Sequence, residues 1–395
     1  MSLVGQKIAV IGAGIGGLAV AQALAQRGAS VTVYEQAEAI REVGAGLQIS
    51  PNGAAVLDAL GLGDALRAGS VQGKAVSLRD YRSNGAEVLR LDLTRLEEQE
   101  YFFTHRADLI EMLAQGARAV GVQIRLLQKV ASVTDAPAGG LARIDLANGD
   151  HVMADLVIDA GGLHGHGRAV LNPKADPFFT GQVAWRAVVP NIDGQGPEAR
   201  LYMGPHRHFV CYPLRDGTML NVVAVEERSL WAEEGWSHQD DPANLRAAFA
   251  RFGPQVQDIL ARVETVHLWG LFRHPVAASW HGRALALLGD AAHPTLPFLA
   301  QGASMALEDA WVLGDALAGC DSITAGLAAY QARRRARVCR VIDAASGNAW
   351  KYHLSHGPLR FGAHMVLRLG GALAPEKMMR SLDWLYAHDV TGPAA

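Results

Sequence analysis

The stretch from Lys7 to Glu35 constrains this chain more than any other. Lys7-Ile8-Ala9-Val10-Ile11 reads as a short buried strand, and Gly12-Ala13-Gly14-Ile15-Gly16-Gly17 follows it directly. Leu18 to Arg27 carries apolar residues at helical spacing, Gly28 closes that helix, and Ser30 to Tyr34 forms a second strand ending at Glu35. Strand, glycine turn, helix, strand and acid in this order specify a βαβ unit that binds a dinucleotide. Gly12 permits the tight turn, Gly14 lets a pyrophosphate approach the backbone, and Gly17 brings the helix close to the sheet. The N–H groups and the positive dipole end of the helix face the phosphates. Glu35 is placed to accept hydrogen bonds from both ribose hydroxyls. That favours a free ribose, as in FAD or NAD, over a 2′-phosphate.

A chain of 395 residues exceeds one core, so two domains are expected. The net charge of −3 gives no reason to expect nucleic acid or an anionic membrane as partner. Cys211, Cys320 and Cys339 are widely spaced, match no metal pattern and point to a reducing compartment. The first strand starts too early to leave room for a signal peptide. No apolar run reaches the roughly 18 residues of a spanning helix. A soluble, cytoplasmic monomer or homodimer is expected.

Further along, Gly44 and Gly46 indicate backbone close to a ligand, and Ser50-Pro51-Asn52 opens a helix. Residues 71 to 93 alternate around a Ser83-Asn84-Gly85 turn, outside any βα pattern. Arg106 precedes an amphipathic helix and either reaches a phosphate or makes a surface salt bridge. Residues 122 to 134 and 141 to 147 read as strands, and Met153 to Ala160 as one buried strand. From about Phe178 the texture is sheet-rich, with strands at Val183 to Val189, Leu201 to Met203, Phe209 to Tyr212, Leu220 to Val225 and His267 to Leu271, and helix between Trp231 and Val263. Ala284 to Leu288 is again a buried strand, ending at Gly289-Asp290, and Gln301-Gly302-Ala303 opens a long helix. A second helix, Ile323 to Trp350, carries Arg333, Arg334, Arg335, Arg337 and Arg340. One short basic run in an acidic chain reads as a solvated helix face. The expected division is 1–70, 101–177 and 277–350 for the nucleotide domain, 71–100 and 178–276 for an inserted sheet domain, and 351–395 for a helical tail.

Gly289-Asp290-Ala291-Ala292-His293-Pro294, Pro297, Gln301-Gly302-Ala303 and Glu308-Asp309-Ala310, with the N-terminal glycine motif, resemble the single-component flavin-dependent aromatic hydroxylases. These are the p-hydroxybenzoate hydroxylase-like monooxygenases, and the chain is most similar to their salicylate and 3-hydroxybenzoate hydroxylase branch. Gly44 to Asn52, Arg106, Trp185-Arg186 and Tyr212-Pro213 carry that likeness. The resemblance implies an α/β fold: a Rossmann-like FAD-binding domain, an inserted sheet-rich substrate domain and a C-terminal helical region. It implies FAD as cofactor, NADH or NADPH as co-substrate, O2, and a small phenolic acid hydroxylated through a flavin C4a-hydroperoxide. Asp290 would bind the ribityl chain, Pro294 and Pro297 would line the flavin, and Gly302 and Ala303 would face its N1–C2=O edge. His293 reads as part of the flavin loop.

One motif departs. Where the family has Gly-Ala-Asp-Gly followed by Ser and Arg, this chain has Asp159-Ala160-Gly161-Gly162 followed by Gly165 and Arg168. That bears on flavin reduction more than on FAD binding, and Asp159 is a candidate for the missing carboxylate. His208 and Tyr212, four apart on a strand, face one side; His208 is the candidate base for the phenol proton, against a loop histidine. Gln301 either bonds the substrate or opens its helix structurally. Arg186 and Gln48 are candidate substrate ligands. A flavin oxidase or dehydrogenase, or an FAD-binding protein with impaired reduction, are the alternatives.

Overall fold

The computed structural model describes residues 2–40, 45–82, 84–95, 99–228 and 238–392, with backbone alone at 348–350. Gly44, Ser83 and Trp231 lie outside them. Five parallel strands form the first sheet, in the order Leu285–Leu287, Leu156–Asp159, Lys7–Ile11, Ser30–Tyr34, Gln123–Arg125. The chain leaves Lys7–Ile11 to build first one side and then the other. The switch point, where open α/β sheets bind ligands, therefore falls between Ile11 and Asp159.

The helix Ile15–Ala25 follows the glycine turn. It lies against the helices Arg106–Ala119 and Gly302–Gly319, and it is buried on nearly every face from Ile15 to Leu24. The apolar spacing read from sequence was thus one stripe of an all-round apolar helix, as expected for a central position. Behind the parallel sheet lies a three-stranded antiparallel one of Val130–Thr134, Ala142–Leu146 and His151–Ala154. The segment 153–160 is therefore two strands in two sheets rather than one. The break is at Asp155, whose carboxylate accepts the Lys7 N–H at 2.7 Å and turns the chain from one sheet into the other.

The second domain is one eight-stranded sheet. Its order is Gln239–Asp240, Val266–Arg273, Phe178–Pro190, Met219–Glu227, Arg207–Leu214, Glu198–Gly204, Ala75–Asp80, Glu87–Asp92. One face packs on the short helices Pro242–Ala248 and Pro254–Ala261 through Trp185, Phe209, Cys211, Val222, Leu245, Phe249 and Leu260. The alternation of β-strands turns the other residues of the same strands toward the first domain. The tail forms helices at Gly357–Leu373, Pro375–Arg380 and Asp383–Tyr386. Among the described residues no helix is long and apolar enough to cross a membrane.

The helix Ile323–Tyr352 corrects the reading of its arginines. Arg334 is buried and pairs with Glu308 at 2.5 Å and Asp309 at 2.7 Å; Arg337 clasps Glu308 and caps the Trp384 and Leu385 carbonyls. Arg333 pairs with Asp315, and Arg340 stacks on Trp384 at 4.1 Å. Part of the run is thus a buried charge network rather than a solvated face.

Candidate active site

The glycine turn fits a dinucleotide by its sterics. Gly12 has φ +93°, and a Cβ there would lie 2.8 Å from the Ala160 carbonyl oxygen. A Cβ on Gly17 would lie 2.0 Å from the Gly12 carbonyl, so only glycine lets the helix sit this close. Above Gly14 nothing lies within 4 Å, which leaves its backbone open to a ligand. Glu35 accepts the Ala13 N–H at 2.7 Å and the Ala37 N–H at 2.9 Å, one on each oxygen. The remaining lone pairs are available to a ribose.

At the far end of the cradle, Asp290 follows the strand Leu285–Leu287. It is exposed to solvent, yet burial raises its carboxyl pKa, with His293 and Arg106 opposing. Both hold for a side chain on the wall of a deep hollow. Arg106 starts its helix opposite, and burial lowers its pKa while Asp290 opposes. An acid and a guanidinium facing across a hollow beside a glycine turn suit the ribityl and phosphate groups of FAD. The chain past Asp290 turns through Pro297–Leu299, takes a left-handed residue at Ala300 (φ +52°) and enters the helix at Gly302 and Ala303. The first N–H groups of a helix have no partner within it.

A buried network braces this loop from below. His293 Nε2 lies 2.5 Å from Asp309, whose other oxygen receives Arg334; burial alone would raise Asp309, but His293 and Arg334 bring it to about 2. Asn52 donates to Glu308 at 2.6 Å. Gln301 is buried, donating to Ser50 at 2.9 Å and accepting from Asn52 at 3.2 Å. Of the two roles read for Gln301, this geometry supports the structural one.

The departing motif is a swap rather than a loss. Asp159 is fully buried and accepts the N–H groups of Gly161 at 2.9 Å and Gly167 at 2.5 Å. A Cβ on Gly161, Gly165 or Gly167 would lie within 3.0 Å of the Asp159 side chain. Its carboxylate therefore fills space that side chains at 161 and 165 would need, and it points into the loop rather than toward a ligand. Arg168 beyond it donates to the Ala291, Ala292 and Pro275 carbonyls and ties this loop to the Asp290 loop.

Across the hollow stands the inner face of the large sheet. Register places His208, Val210 and Tyr212 beside Val225, Val223 and Asn221, and these beside Ala184, Arg186 and Val188. Leu296 and Phe298 of the flavin-side loop pack on Ala184, Val225, Trp269, Leu271 and Val223 of that face. The His208 and Phe298 rings lie 6.0 Å apart, and Arg186 stacks on Trp269 at 4.4 Å. Burial brings Arg186 down to about 10, with Tyr212 opposing and Arg106 adding. Burial raises Tyr212, and it lowers His208 well below the usual imidazole range. Gln48, on the strand Gly46–Ile49, accepts from the Tyr101 hydroxyl at 2.6 Å and bonds Tyr212. Gly46 seats that strand on the sheet: its N–H donates to Asn221 at 2.7 Å, and a Cβ would lie 2.9 Å from the Tyr212 ring.

Sequence reasoning missed His353, whose Nε2 lies 2.6 Å from His208 Nδ1, and Glu227, 2.8 Å from His353 Nδ1. Neither sits in a motif; the pairing joins residues 145 and 126 positions apart.

Residues 6–345 match the family described as FAD binding domain. The chain is 34% identical over 366 residues to 3-amino-4-hydroxybenzoate 2-monooxygenase PtmB3 of Streptomyces platensis, covering 89% of this chain and 90% of the relative. It is 32% identical to 6-hydroxynicotinate 3-monooxygenase of Bordetella bronchiseptica, covering 87% and 91%. The crystal structure of Klebsiella pneumoniae HpxO complexed with FAD and uric acid superposes with a TM-score of 0.83 at 27% identity, covering 95% of each chain. A match of this length, falling on the same cradle and loops that the geometry fits to FAD, shows that the chain belongs to this FAD-binding family as an FAD-dependent aromatic monooxygenase of the p-hydroxybenzoate hydroxylase type.

Proposed function

We propose that this enzyme uses NADH or NADPH and O2 to hydroxylate a phenolic aromatic acid, of the hydroxybenzoate or hydroxynicotinate class. The observation that carries the reading is Arg186, His208 and Tyr212 on one sheet face, opposite the loop of Leu296 and Phe298. Glu35, Gly12, Gly14, Gly17 and Arg106 would hold the adenosine and pyrophosphate of FAD, and Asp290, Pro297, Gly302 and Ala303 its ribityl and ring. Bound there and reduced by a nicotinamide, FAD supplies the activated oxygen.

Arg186 receives the substrate carboxylate. Burial strengthens a charge-assisted hydrogen bond of this kind, and a pKa of about 10 leaves the guanidinium charged at neutral pH. His208 stands two strands across and two residues along from Arg186, roughly 12 Å at ordinary strand spacings. One aromatic ring with a carboxylate at one edge and a hydroxyl at the other, plus a hydrogen bond at each end, spans such a gap. His208, neutral through burial, takes the phenol proton as the ring becomes electron-rich. Tyr212, offset from Arg186 by as much on the other side and electrostatically coupled to it, stays protonated and serves the carboxylate end with Arg186. Trp269, Leu271, Leu296 and Phe298 exclude water from the reacting atoms.

The test is anaerobic. The purified flavoprotein is mixed with NADH or NADPH, alone and with a panel of hydroxybenzoates and hydroxypyridine acids, and the flavin band is followed. Bleaching accelerated by a panel member is expected. Equal, slow bleaching with every member counts against the reading and favours impaired reduction; bleaching by a reduced organic substrate without nicotinamide favours an oxidase.

A further inference from the structure

His208 ends a chain of four side chains. Its Nδ1 lies 2.6 Å from His353 Nε2; His353 Nδ1 lies 2.8 Å from Glu227 Oε1; Glu227 Oε2 lies 2.7 Å from His206 Nδ1. His208 and His353 are buried, whereas the His206 side chain is 57% exposed. The chain runs from the inner face of the sheet to its rim.

The backbone holds this chain as firmly as the side chains do. The His206 N–H donates to the His353 carbonyl at 3.1 Å, and the His206 carbonyl accepts the Glu227 N–H at 2.9 Å. His206 adopts a left-handed conformation, φ +59°, to do so. For a residue with a Cβ that costs on the order of 1 kcal/mol. Such strain persists only where surrounding contacts enforce it.

The direction of each bond follows from the donor inventory. An ionised carboxylate only accepts, so the proton between His353 and Glu227 sits on His353 Nδ1. Burial keeps the His353 ring neutral, with Glu227 opposing. A neutral imidazole with Nδ1–H has a bare Nε2, so His353 Nε2 accepts from His208 Nδ1–H. His208, also neutral, is then left with a bare Nε2. Burial alone would raise Glu227, but its bonds to His206 and His353 hold it below the usual carboxyl range, so it is the fixed anion of the chain.

We infer that Glu227 and His353 set the tautomer of His208 and carry the proton it accepts from the site to solvent, with His206 holding Glu227 in place. This rests on His208 as the base. Nε2 of His208 gains the phenol proton, and its Nδ1–H passes to His353 Nε2. The Nδ1–H of His353 passes to Glu227, whose side chain, 36% exposed, releases it to water, while the His206 Nδ1–H donates to Oε2 and holds the carboxylate in place. His208 and His353 each gain one proton and lose one, and a turn of the rings or return of protons from solvent restores the starting tautomers. His353 and Glu227 are positioning and relay residues, since neither faces the substrate.

The test is nitrogen NMR of the flavoprotein labelled with ring-15N histidine, with His208 assigned by its loss in the H208F variant. The expected pattern is a pyrrole-type Nδ1 and a pyridine-type Nε2 on His208, mixed or reversed in E227Q, where the anion is lost but a hydrogen-bonding side chain remains. A His208 that carries its proton on Nε2 in the unaltered enzyme overturns the inference. A second arm uses H353F with the aromatic acid selected by the reduction panel. Flavin content and KM are expected to stay within about twofold while kcat falls about tenfold or more, the size of an impaired acid–base step. An unchanged kcat overturns the relay. If H208F itself turns over normally, the base assignment fails whatever tautomer the spectra give.

Discussion

Asp159 and Gly165 share one space. A Cβ built on Gly165 lies 2.6 Å from Asp159 Oδ1 and 2.7 Å from Oδ2, and the same carboxylate ties down the Gly161 and Gly167 N–H groups. D159G should therefore cost about 1–3 kcal/mol for the two buried donors it leaves. G165S should cost a similar amount, about 1–3 kcal/mol, through overpacking. The double variant D159G/G165S should be more stable than the sum of the two by about 1 kcal/mol or more, because the serine refills the space. Urea unfolding of the four proteins checks this; strict additivity would contradict the shared space.

The buried pair Asp309–Arg334 predicts an acid transition. Asp309 falls from 3.8 to about 2 in the folded protein. A depressed carboxyl contributes stability above its unfolded pKa and loses it as pH falls through the folded one. The contribution, on the order of 2 kcal/mol, is thus present at neutral pH and disappears between about pH 4 and pH 2. D309N, which leaves the buried Arg334 with Glu308 as its remaining carboxylate partner, should cost about 1–3 kcal/mol at pH 7, and its gap to the parent should narrow below about pH 4. A gap that widens on acidification would contradict the assignment.

Asp290→Ala should strip FAD from the purified protein, read as the ratio of flavin to protein absorbance. Asp290 is electrostatically coupled to Arg106, so its loss removes a ligand and a negative charge from the cradle. Full retention of flavin would remove Asp290 from the cradle.

Arg186→Met and His208→Phe should separate binding from chemistry. R186M should raise KM for a carboxylate substrate about 10- to 100-fold, the worth of one charged hydrogen bond, and should leave its methyl ester unaffected. H208F should keep FAD and substrate but slow hydroxylation by roughly 10² to 10⁴. Equal losses of KM and kcat in both variants would mean that neither has the role given.

The legible parts of this molecule are those whose function fixes a local pattern. Gly12, Gly14 and Gly17 stand at spacings dictated by one turn, and Gly289 to Pro294 by one loop, so both could be read without the fold. His208 and Tyr212 fall on one face because strand period alone puts them there. What stayed hidden depends on long-range pairing. Arg334 looks like a surface arginine until Glu308 and Asp309 are packed against it. His353 lies in a tail with no motif, and only folding brings it to His208. Asp159 looks like a missing motif residue because its compensation lies in glycines six and eight positions on.

Turnover under oxygen-18 gas, with the aromatic acid that accelerates flavin reduction, tests the hydroxylation most directly. The expected product carries one oxygen-18 atom and forms in step with NADH or NADPH consumed. A product without the label, or hydrogen peroxide alone in place of hydroxylated acid, would contradict it.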